Sequence, residues 1–380
     1  MKTAVIIGGK LQGVEACYLA QKANIKTILI DINPCAPAIG MADEFYCLNV
    51  CEKSKELLAL LKKGDFILPA MENDEVLQAL YELKDAEALN LAFDFSAYAI
   101  SSSKTASDRL IRENQIPAPV YYPNCQPPYI AKPNSASGSE GVRYIESVKE
   151  AETFLKNVPK GDSWVIQEYL DGKSYSIEVI GKPGDYRTYE VTEIHMDDRY
   201  DCKRVTAPCP ISDALKSNFS AIGIQLAELV HLKGIMDVEV ILDKGQLKVL
   251  EIDARIPSQT PTVVYQSTGV NFMEELAALF CEGIMPQRDW GEKKHVSFEH
   301  FIIKNKKVEG VGEHAVSSCG PLHYYENCFE ADEVLTDYED GEEVLVGTFI
   351  NSAATQEELE QKRNCMRKKL NHFLTKEDGM

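Results

Sequence analysis

Residues 237–262 read Asp-Val-Glu-Val-Ile-Leu-Asp-Lys-Gly-Gln-Leu-Lys-Val-Leu-Glu-Ile-Asp-Ala-Arg-Ile-Pro-Ser-Gln-Thr-Pro-Thr. Two β-rich runs flank Asp243-Lys244-Gly245, which predicts a hairpin. Strand side chains alternate between faces, so Glu251 and Asp253 point the same way. With Asp243-Lys244-Gly245 as the loop and Gly245 left-handed, Leu242 pairs with Gln246 and Asp237 lies opposite Glu251. Glu239 then falls diagonally beside them, while Val238, Val240, Lys248, Leu250 and Ile252 take the other, nearly apolar face. Three or four carboxylates converge, and Arg255 stands just beyond. Left unpaired they would repel one another, and one or more would take up a proton. A divalent cation removes that repulsion, and hard oxygen ligands favour magnesium held against phosphates. The competing reading is an acidic strand face open to solvent.

What lies upstream bears on that choice. Tyr129-Ile-Ala-Lys132-Pro133 is a strand that ends in a lysine and meets the loop Asn134-Ser-Ala-Ser137-Gly138-Ser139-Glu140-Gly141. A lysine supplies a point charge, and a Ser/Gly loop lets backbone donors approach closely, which is what a triphosphate requires. The lysine precedes the glycines, so this is not a Gly-x-x-x-x-Gly-Lys-Ser loop. Ser101-Ser102-Ser103-Lys104 caps a helix running to about Asn114. Trp164–Tyr169 is an apolar strand ending in Gln167-Glu168-Tyr169-Leu170, and such a strand-to-strand hinge can offer backbone groups to an adenine edge. Leu215–Lys233 is a helix whose apolar residues Leu215, Phe219, Ile222, Leu226 and Leu229 step by four, three, four and three.

The first residues give a βαβ opening: strand Ala4–Ile7, loop Gly8-Gly9-Lys10-Leu11-Gln12-Gly13, helix Val14–Ala23 and strand Lys26–Ile30 ending at Asp31. The loop lacks a full Gly-x-Gly-x-x-Gly, which weakens a nicotinamide reading but keeps backbone N–H groups at a helix N-terminus for a carboxylate or phosphate. Met71-Glu72-Asn73-Asp74 follows the strand Asp65–Pro69. In an open parallel sheet that places Glu72 beside Lys10, where Glu72 can hold a substrate ammonium and Asn73 can cap the next helix.

The chain has 380 residues, 44% apolar and 26% charged, enough for two or three globular domains. Its net charge of -19 disfavours nonspecific binding to nucleic acid or anionic membranes. No apolar run approaches the roughly 20 residues that cross a bilayer, and the N-terminus has no signal-peptide pattern. Eleven cysteines, an odd number spread through core-like segments, fit reduced thiols in a cytoplasm. Neither the cysteines nor the seven histidines are spaced as zinc ligands.

The whole series, from glycine loop through Ser-Ser-Lys104, Ala-Lys132-Pro, the Ser/Gly loop, Gln-Glu168-Tyr-Leu and Val-Glu239-Val to Glu251-Ile-Asp253-Ala-Arg255, resembles the ATP-grasp superfamily of carboxylate–amine ligases over about residues 1–285. The resemblance implies an α/β ATP-grasp fold of three domains. These are a Rossmann-like N-terminal domain (1–95), a central lid and hinge subdomain (96–180), and a C-terminal α+β part with an antiparallel sheet (181–380). It implies ATP as co-substrate and two magnesium ions on Glu239, Glu251 and Asp253, the last standing where the superfamily usually has asparagine. Lys104, Lys132 and Ser137, Gly138, Ser139 and Gly141 would surround the phosphates. Glu168, Tyr169 and Leu170 would frame adenine, and Arg255 would steady an acyl phosphate.

Gly-Gly-Lys10-Leu11-Gln-Gly-Val-Glu-Ala and Arg255-Ile-Pro-Ser258-Gln-Thr260-Pro-Thr-Val-Val-Tyr are similar to the branch that joins 3-methyl-D-ornithine to the ε-amine of L-lysine in pyrrolysine biosynthesis. That branch implies a phosphorylated carboxylate attacked by a neutral amine, with Asp237 or Glu72 as the base. Ser174, Tyr175, Ser176, Glu178, Ser258 and Thr260 would hold the diamino acid, and Lys10, Leu11 and Glu72 the lysine. A homo-oligomer is compatible with this reading. Two alternatives stand beside it. One is the aminoimidazole-ribonucleotide carboxylating branch, which wants a basic phosphate pocket where this chain places Glu72, Asp74 and Asp237. The other is a noncatalytic nucleotide-binding protein, which would not need both carboxylate-bearing strands.

Overall fold

Strands Thr3–Ile7, Lys26–Asp31, Glu44–Cys47 and Phe66–Pro69 form a parallel sheet, with Thr3–Ile7 between Lys26–Asp31 and Phe66–Pro69. Their near-continuous apolar runs suit strands covered on both faces. The structure, a computed structural model, describes residues 1–134, 141–159, 164–287, 291–304, 307–338 and 344–373. Helix Leu11–Lys22 begins at once after Lys10, so Leu11, Gln12 and Gly13 are helical and the glycine loop is only Gly8–Lys10. Gly8 has φ 104, and a side chain on Gly13 would collide with the Gly8 carbonyl. That close approach of loop and helix is why glycine stands at both positions. The helix buries Gly13 through Ala20 without interruption, because it packs against its own sheet and also against helices Thr260–Thr268 and Phe272–Ala277.

A second, small antiparallel sheet joins Arg143–Ile145, Tyr129–Pro133 and Trp164–Glu168. The third sheet has 11 described strands. Its path runs Gln246–Asp253, Gly234–Asp243, Lys173–Lys182, Thr192–Met196, Cys202–Ala207, His295–Lys304, Leu345–Ala353, Glu333–Thr336 and His323–Glu326. Helix Asp213–Leu229, capped by Ser212, buries Phe219, Ile222 and Leu226 against this sheet. Burying such side chains stabilises the contact by about 1.5–3 kcal/mol each. The expected helix end at Lys233 falls short by one turn, since Leu229 is its last residue and Gly234 opens the next strand. The expected boundary at residue 180 lies inside strand Lys173–Lys182. The chain leaves the small sheet after Glu168 and enters the large one at Lys173. Helix Gln356–Phe373 closes the far end, with Leu359, Met366 and Leu370 buried.

Candidate active site

The hairpin forms with a different register from the one expected. Asp243 pairs with Gln246, so the loop is the two residues Lys244 and Gly245, both at positive φ (49° and 84°). Two such residues make the turn whose twist matches a tight hairpin. A shift after Glu239 then leaves Leu250 as an extra residue, and beyond it Glu239 pairs with Glu251 and Asp237 with Asp253. The bulge also changes the faces. Leu247, Val249 and Ile252 are core, while Lys248 and Leu250, expected on the apolar face, turn from it.

On its other edge Gly234–Asp243 pairs with Lys173–Lys182, placing Glu178 opposite Asp237 and Ser176 opposite Glu239. Paired residues of adjacent strands share a face. Two rows therefore lie side by side: Glu178, Asp237, Asp253 and Ser176, Glu239, Glu251. Burial penalises charge on every member. It lifts Asp237 to about 6 and Asp253 to about 7, and holds Glu239 and Glu178 well above the usual carboxylate range. Both oxygens of Glu178 are buried, and the Ser176 hydroxyl donates to Asp237. Glu251 differs. Burial would raise it, but Lys104 and Lys132 outweigh burial and keep it ionised. The Lys104 ammonium lies 3.3 Å from Glu251. Arg255, buried yet held cationic by Asp253 and Glu72, donates through Nε to Glu72 at 2.6 Å and through NH2 to Asp253 at 3.3 Å.

Three cavities meet along these rows. A cleft of about 380 Å³ lies between the small and large sheets, lined by Lys104, Lys132, Glu168, Tyr169, Leu170, Ser174, Glu239 and Glu251. A pocket of about 80 Å³ shares Glu239 and Glu251 with it and adds Asp237, Asp253, Arg255, Ser258 and Thr260. A third, of about 660 Å³ beside the parallel sheet, shares Arg255 and Ser258 with the second and holds Lys10, Leu11 and Glu72.

Most of the expected residues thus line three cavities that share wall residues, and the exceptions, among them the wholly buried Ser176, are informative. Tyr175 is a correction: it is 1% exposed in the core beside Ile177 and Val179, because alternation turns it away from Ser174 and Ser176. Ser174 lines the cleft with the two lysines, not the pocket at Arg255. Glu178 is buried behind Asp237 and is not among the lining residues. The Glu168 carboxylate accepts from Val120 N and from Lys248 at 2.7 Å, and its backbone N–H donates to Val120 O at 2.8 Å, so both are committed to protein partners. Glu72 accepts from Arg255 and from Gln12 at 3.0 Å. Ser137, Gly138 and Ser139 lie outside the described residues, while Gly141 sits in a turn at φ 75 against Pro133.

Several lining residues were not anticipated. Glu193, His195, Asp197 and Tyr200 line the cleft. The polar alternation Glu193-Ile-His195-Met-Asp197 was a usable strand signal. Gln259 and Glu313 line the small pocket. Gln259 sits at φ 70, ψ -53 in a turn closed by Thr260 N donating to Ser258 O at 2.8 Å. That geometry is the strained form of a three-residue turn. It is held from all sides. Gln259 N donates to Glu15, its amide donates to Glu313 at 2.6 Å, and its carbonyl accepts from Cys202. Glu313 also accepts from Ser258.

The donor chemistry of Glu239, Glu251 and Asp253 fits magnesium: anionic oxygens on neighbouring strands, beside lysines that face the same cleft. Among the described residues no three carboxylate, histidine or cysteine groups stand close enough together to hold a metal ion by themselves. Magnesium binds through one or two carboxylates plus substrate phosphates rather than in an all-protein cage, so a cage is not required.

Residues 101–259 match the ATP-grasp domain family, and residues 4–91 match the PylC-like N-terminal domain family. The 3-methyl-D-ornithine–L-lysine ligase of Methanosarcina mazei is 41% identical over 328 residues, covering 86% of this chain and 85% of the relative. That of Methanosarcina acetivorans is 42% identical over 318 residues, covering 83% and 84%. Among solved structures, the ADP complex of an N5-carboxyaminoimidazole ribonucleotide synthetase superposes with TM-score 0.72 at 16% identity, over 96% of both chains. An L-amino acid ligase from Bacillus licheniformis does so with TM-score 0.67 at 18% identity, over 97% and 98%. At such identities these two speak for the fold, which is ATP-grasp. By its sequence likeness to the methanogen enzymes, this chain belongs to the ATP-grasp family of ATP-dependent, C–N bond-forming ligases that includes the 3-methyl-D-ornithine–L-lysine ligases.

Proposed function

We propose that this enzyme phosphorylates the carboxylate of 3-methyl-D-ornithine with ATP and joins it to the ε-amine of L-lysine, releasing ADP and phosphate, as a step in making pyrrolysine. The observation that carries this reading is the pair of carboxylate rows. Glu239 and Glu251 wall both a cleft bearing Lys104 and Lys132 and a pocket bearing Arg255, and Arg255 and Ser258 are shared in turn with a third cavity bearing Lys10 and Glu72.

Lys104 and Lys132 supply positive charge to the phosphates of ATP, with Ser137, Gly138, Ser139 and Gly141 closing over them. The hinge Glu168–Leu170 frames the adenine. Glu239, Glu251 and Asp253 would hold two magnesium ions, and the chemistry these would supply when bound is offsetting the charge of the transferred phosphoryl group. Arg255 steadies the acyl phosphate, since a guanidinium opposes the charge on its oxygens. Asp237, lifted to about 6 by burial, suits removal of a proton from the attacking ammonium near neutral pH. Ser176, Ser258 and Thr260 orient the diamino acid around the reacting carboxyl, while Lys10, Leu11 and Glu72 place the lysine. An acidic pocket favours such cationic substrates over the phosphorylated ribotide of the carboxylating branch.

The test is ATP turnover by the full chain with L-lysine and either 3-methyl-D-ornithine or D-ornithine, with mass spectrometry of the product. An amide of the summed diamino-acid mass less water, formed together with ADP, supports the reading. ADP without amide, or turnover that needs bicarbonate and a ribotide, overturns it.

A further inference from the structure

Behind the strand Thr192–Met196, on the side of the large sheet covered by helix Gln356–Phe373, lies a separate cavity of about 690 Å³. It is lined by Lys203, Arg204, Arg367 and His195, with Glu299 as its one carboxylate. Three cations against one anion is a local reversal in a chain of net charge -19. Register explains the grouping, because Arg204 pairs with His195 on one side and with Glu299 on the other.

The carboxylate does not neutralise Arg204. Its oxygens accept from Arg363 Nε at 2.6 Å and NH2 at 2.8 Å, from Arg367 NH2 at 2.9 Å, and from the Ser297 hydroxyl at 2.9 Å. Those four donors use up what a carboxylate can accept. Among the described residues Arg204 makes no salt bridge. Its NH2 meets His195 Nδ1 at 3.1 Å, and its Nε is buried with no acceptor. Burial and the neighbouring Arg204 hold His195 down at about 4, so it stays neutral and accepts that bond, while its Nε2 meets Thr206 Oγ1 at 3.0 Å. The guanidinium is therefore fixed in place by a neutral partner with its Nε edge unused. It also stands near Arg363 and Arg367, whose like charge, after burial, disfavours its cationic form. A buried donor without an acceptor, and three guanidiniums set beside the two carboxylates of Glu299 and Glu360, are both relieved by a bound oxyanion, which a guanidinium edge grips at two points.

We propose that this cavity binds an oxyanion of the phosphate class, with Arg204 as its main contact and Arg367 and Lys203 at its rim. Two sources share that chemistry: inorganic phosphate, which the ligase reaction releases, and the end of a polyphosphate chain. His195 and Met196 line both this cavity and the cleft bearing Lys104, so the anion would sit one strand away from the nucleotide.

The experiment uses the full chain with its nucleotide cleft saturated by magnesium and a non-hydrolysable ATP analogue. Thermal unfolding is followed while sodium phosphate is titrated, against sodium chloride of equal ionic strength. Phosphate should raise Tm saturably, and Arg204→Gln and Arg367→Gln should each shift that titration to about tenfold higher phosphate or beyond, the usual weight of a charge-assisted hydrogen bond. Arg367 is half-exposed on a surface helix, so its variant decides the matter if Arg204→Gln fails to fold. Repeating the titration with tripolyphosphate separates the sources: a tighter, Arg204-dependent response assigns the site to a polyphosphate chain, an equal or weaker one to phosphate. No rise beyond sodium chloride, or identical titrations in wild type and both variants, overturns the proposal.

Discussion

Glu15 offers the sharpest test of how the N-terminal domain supports the active site. It lies in helix Leu11–Lys22, 3% exposed, and accepts from Gln259 N at 3.2 Å and from Thr262 N. Those are N–H groups at the start of helix Thr260–Thr268, which has no side-chain cap of its own. A carboxylate at a helix N-terminus satisfies orphan donors and meets the positive end of the helix dipole. Burial nevertheless lifts Glu15 from 4.5 to about 7. The native state therefore holds the proton more tightly than the unfolded chain does. Stability from this group is greatest below pH 4.5, falls as pH rises from 4.5 to 7, and is level above 7. A shift of that size corresponds to about 3 kcal/mol. Glu15→Gln removes the titration but presents an amide N–H₂ to one of the two donors, which costs about 1–3 kcal/mol for the unsatisfied group. Urea unfolding of both proteins at pH 4.5 and pH 8 isolates the effect. The stability advantage of wild type over Glu15→Gln should be about 3 kcal/mol smaller at pH 8 than at pH 4.5. An advantage that is flat with pH, or that grows towards pH 8, would refute the reasoning. Because Glu15 also fixes the strained turn at Gln259, Glu15→Ala should lower kcat while leaving the KM for ATP near its wild-type value.

Glu251→Gln should keep the fold and the binding of ATP without metal but lower kcat on the order of 10²–10³-fold, as loss of a main charge-stabilising group does; unchanged turnover would remove Glu251 from the metal site. Arg255→Lys cannot reach Glu72 and Asp253 together, and should lower kcat by about 10²-fold with a smaller change in the KM for ATP, read from steady-state kinetics. Glu299 is pushed the other way from Glu15: burial would raise it, but Arg363 and Arg367 bring it down to about 2. Its stabilising effect is present above pH 4.5 and lost as pH falls through 2, so in urea unfolding followed by circular dichroism the stability advantage of wild type over Glu299→Gln should shrink by about 3 kcal/mol across that range.

Local signals carried much of the fold. Ser103 accepts from Ala106 N and starts the helix at Lys104, and Asn73 caps the helix at Asp74, as short-range capping chemistry indicates. The strands at Thr3–Ile7, Lys26–Asp31 and Tyr129–Pro133 fall where apolar runs end at Gly8, Asp31 and Pro133. The misses have local causes too. Tyr175 was grouped with its polar neighbours, although its odd position in the alternation Ser174-Tyr-Ser176 sends it to the core. Gln259 and Glu313 were invisible because their meaning comes from each other, 54 residues apart, and from Glu15 at a separation of 244. Nothing in a stretch of sequence marks a glutamine as the joint between three segments.

The acidic hairpin shows where reading by pattern stops. Counting residues across a three-residue loop puts Asp237 opposite Glu251. The folded chain saves one residue at the turn and inserts one at Leu250, so Glu239 meets Glu251 and Asp237 meets Asp253. The carboxylates reach the same face under either count, because the two on each strand are two residues apart. Their neighbours differ, and neighbours decide the chemistry. Glu251, next to Glu239, is the member that Lys104 and Lys132 keep ionised. Asp237, moved one row on, sits between Glu178 and Asp253, where burial and the adjoining acids keep protons within reach of neutral pH. The Glu239–Glu251 row, with Asp253 beside it, is thereby suited to a metal and the phosphates, and Asp237 to proton transfer near Arg255. Deletion of Leu250 would remove the bulge yet leave Glu239 opposite Glu251 and Asp237 opposite Asp253, so turnover should largely survive it; loss of turnover with the hairpin intact would show that the pairing alone does not set the chemistry.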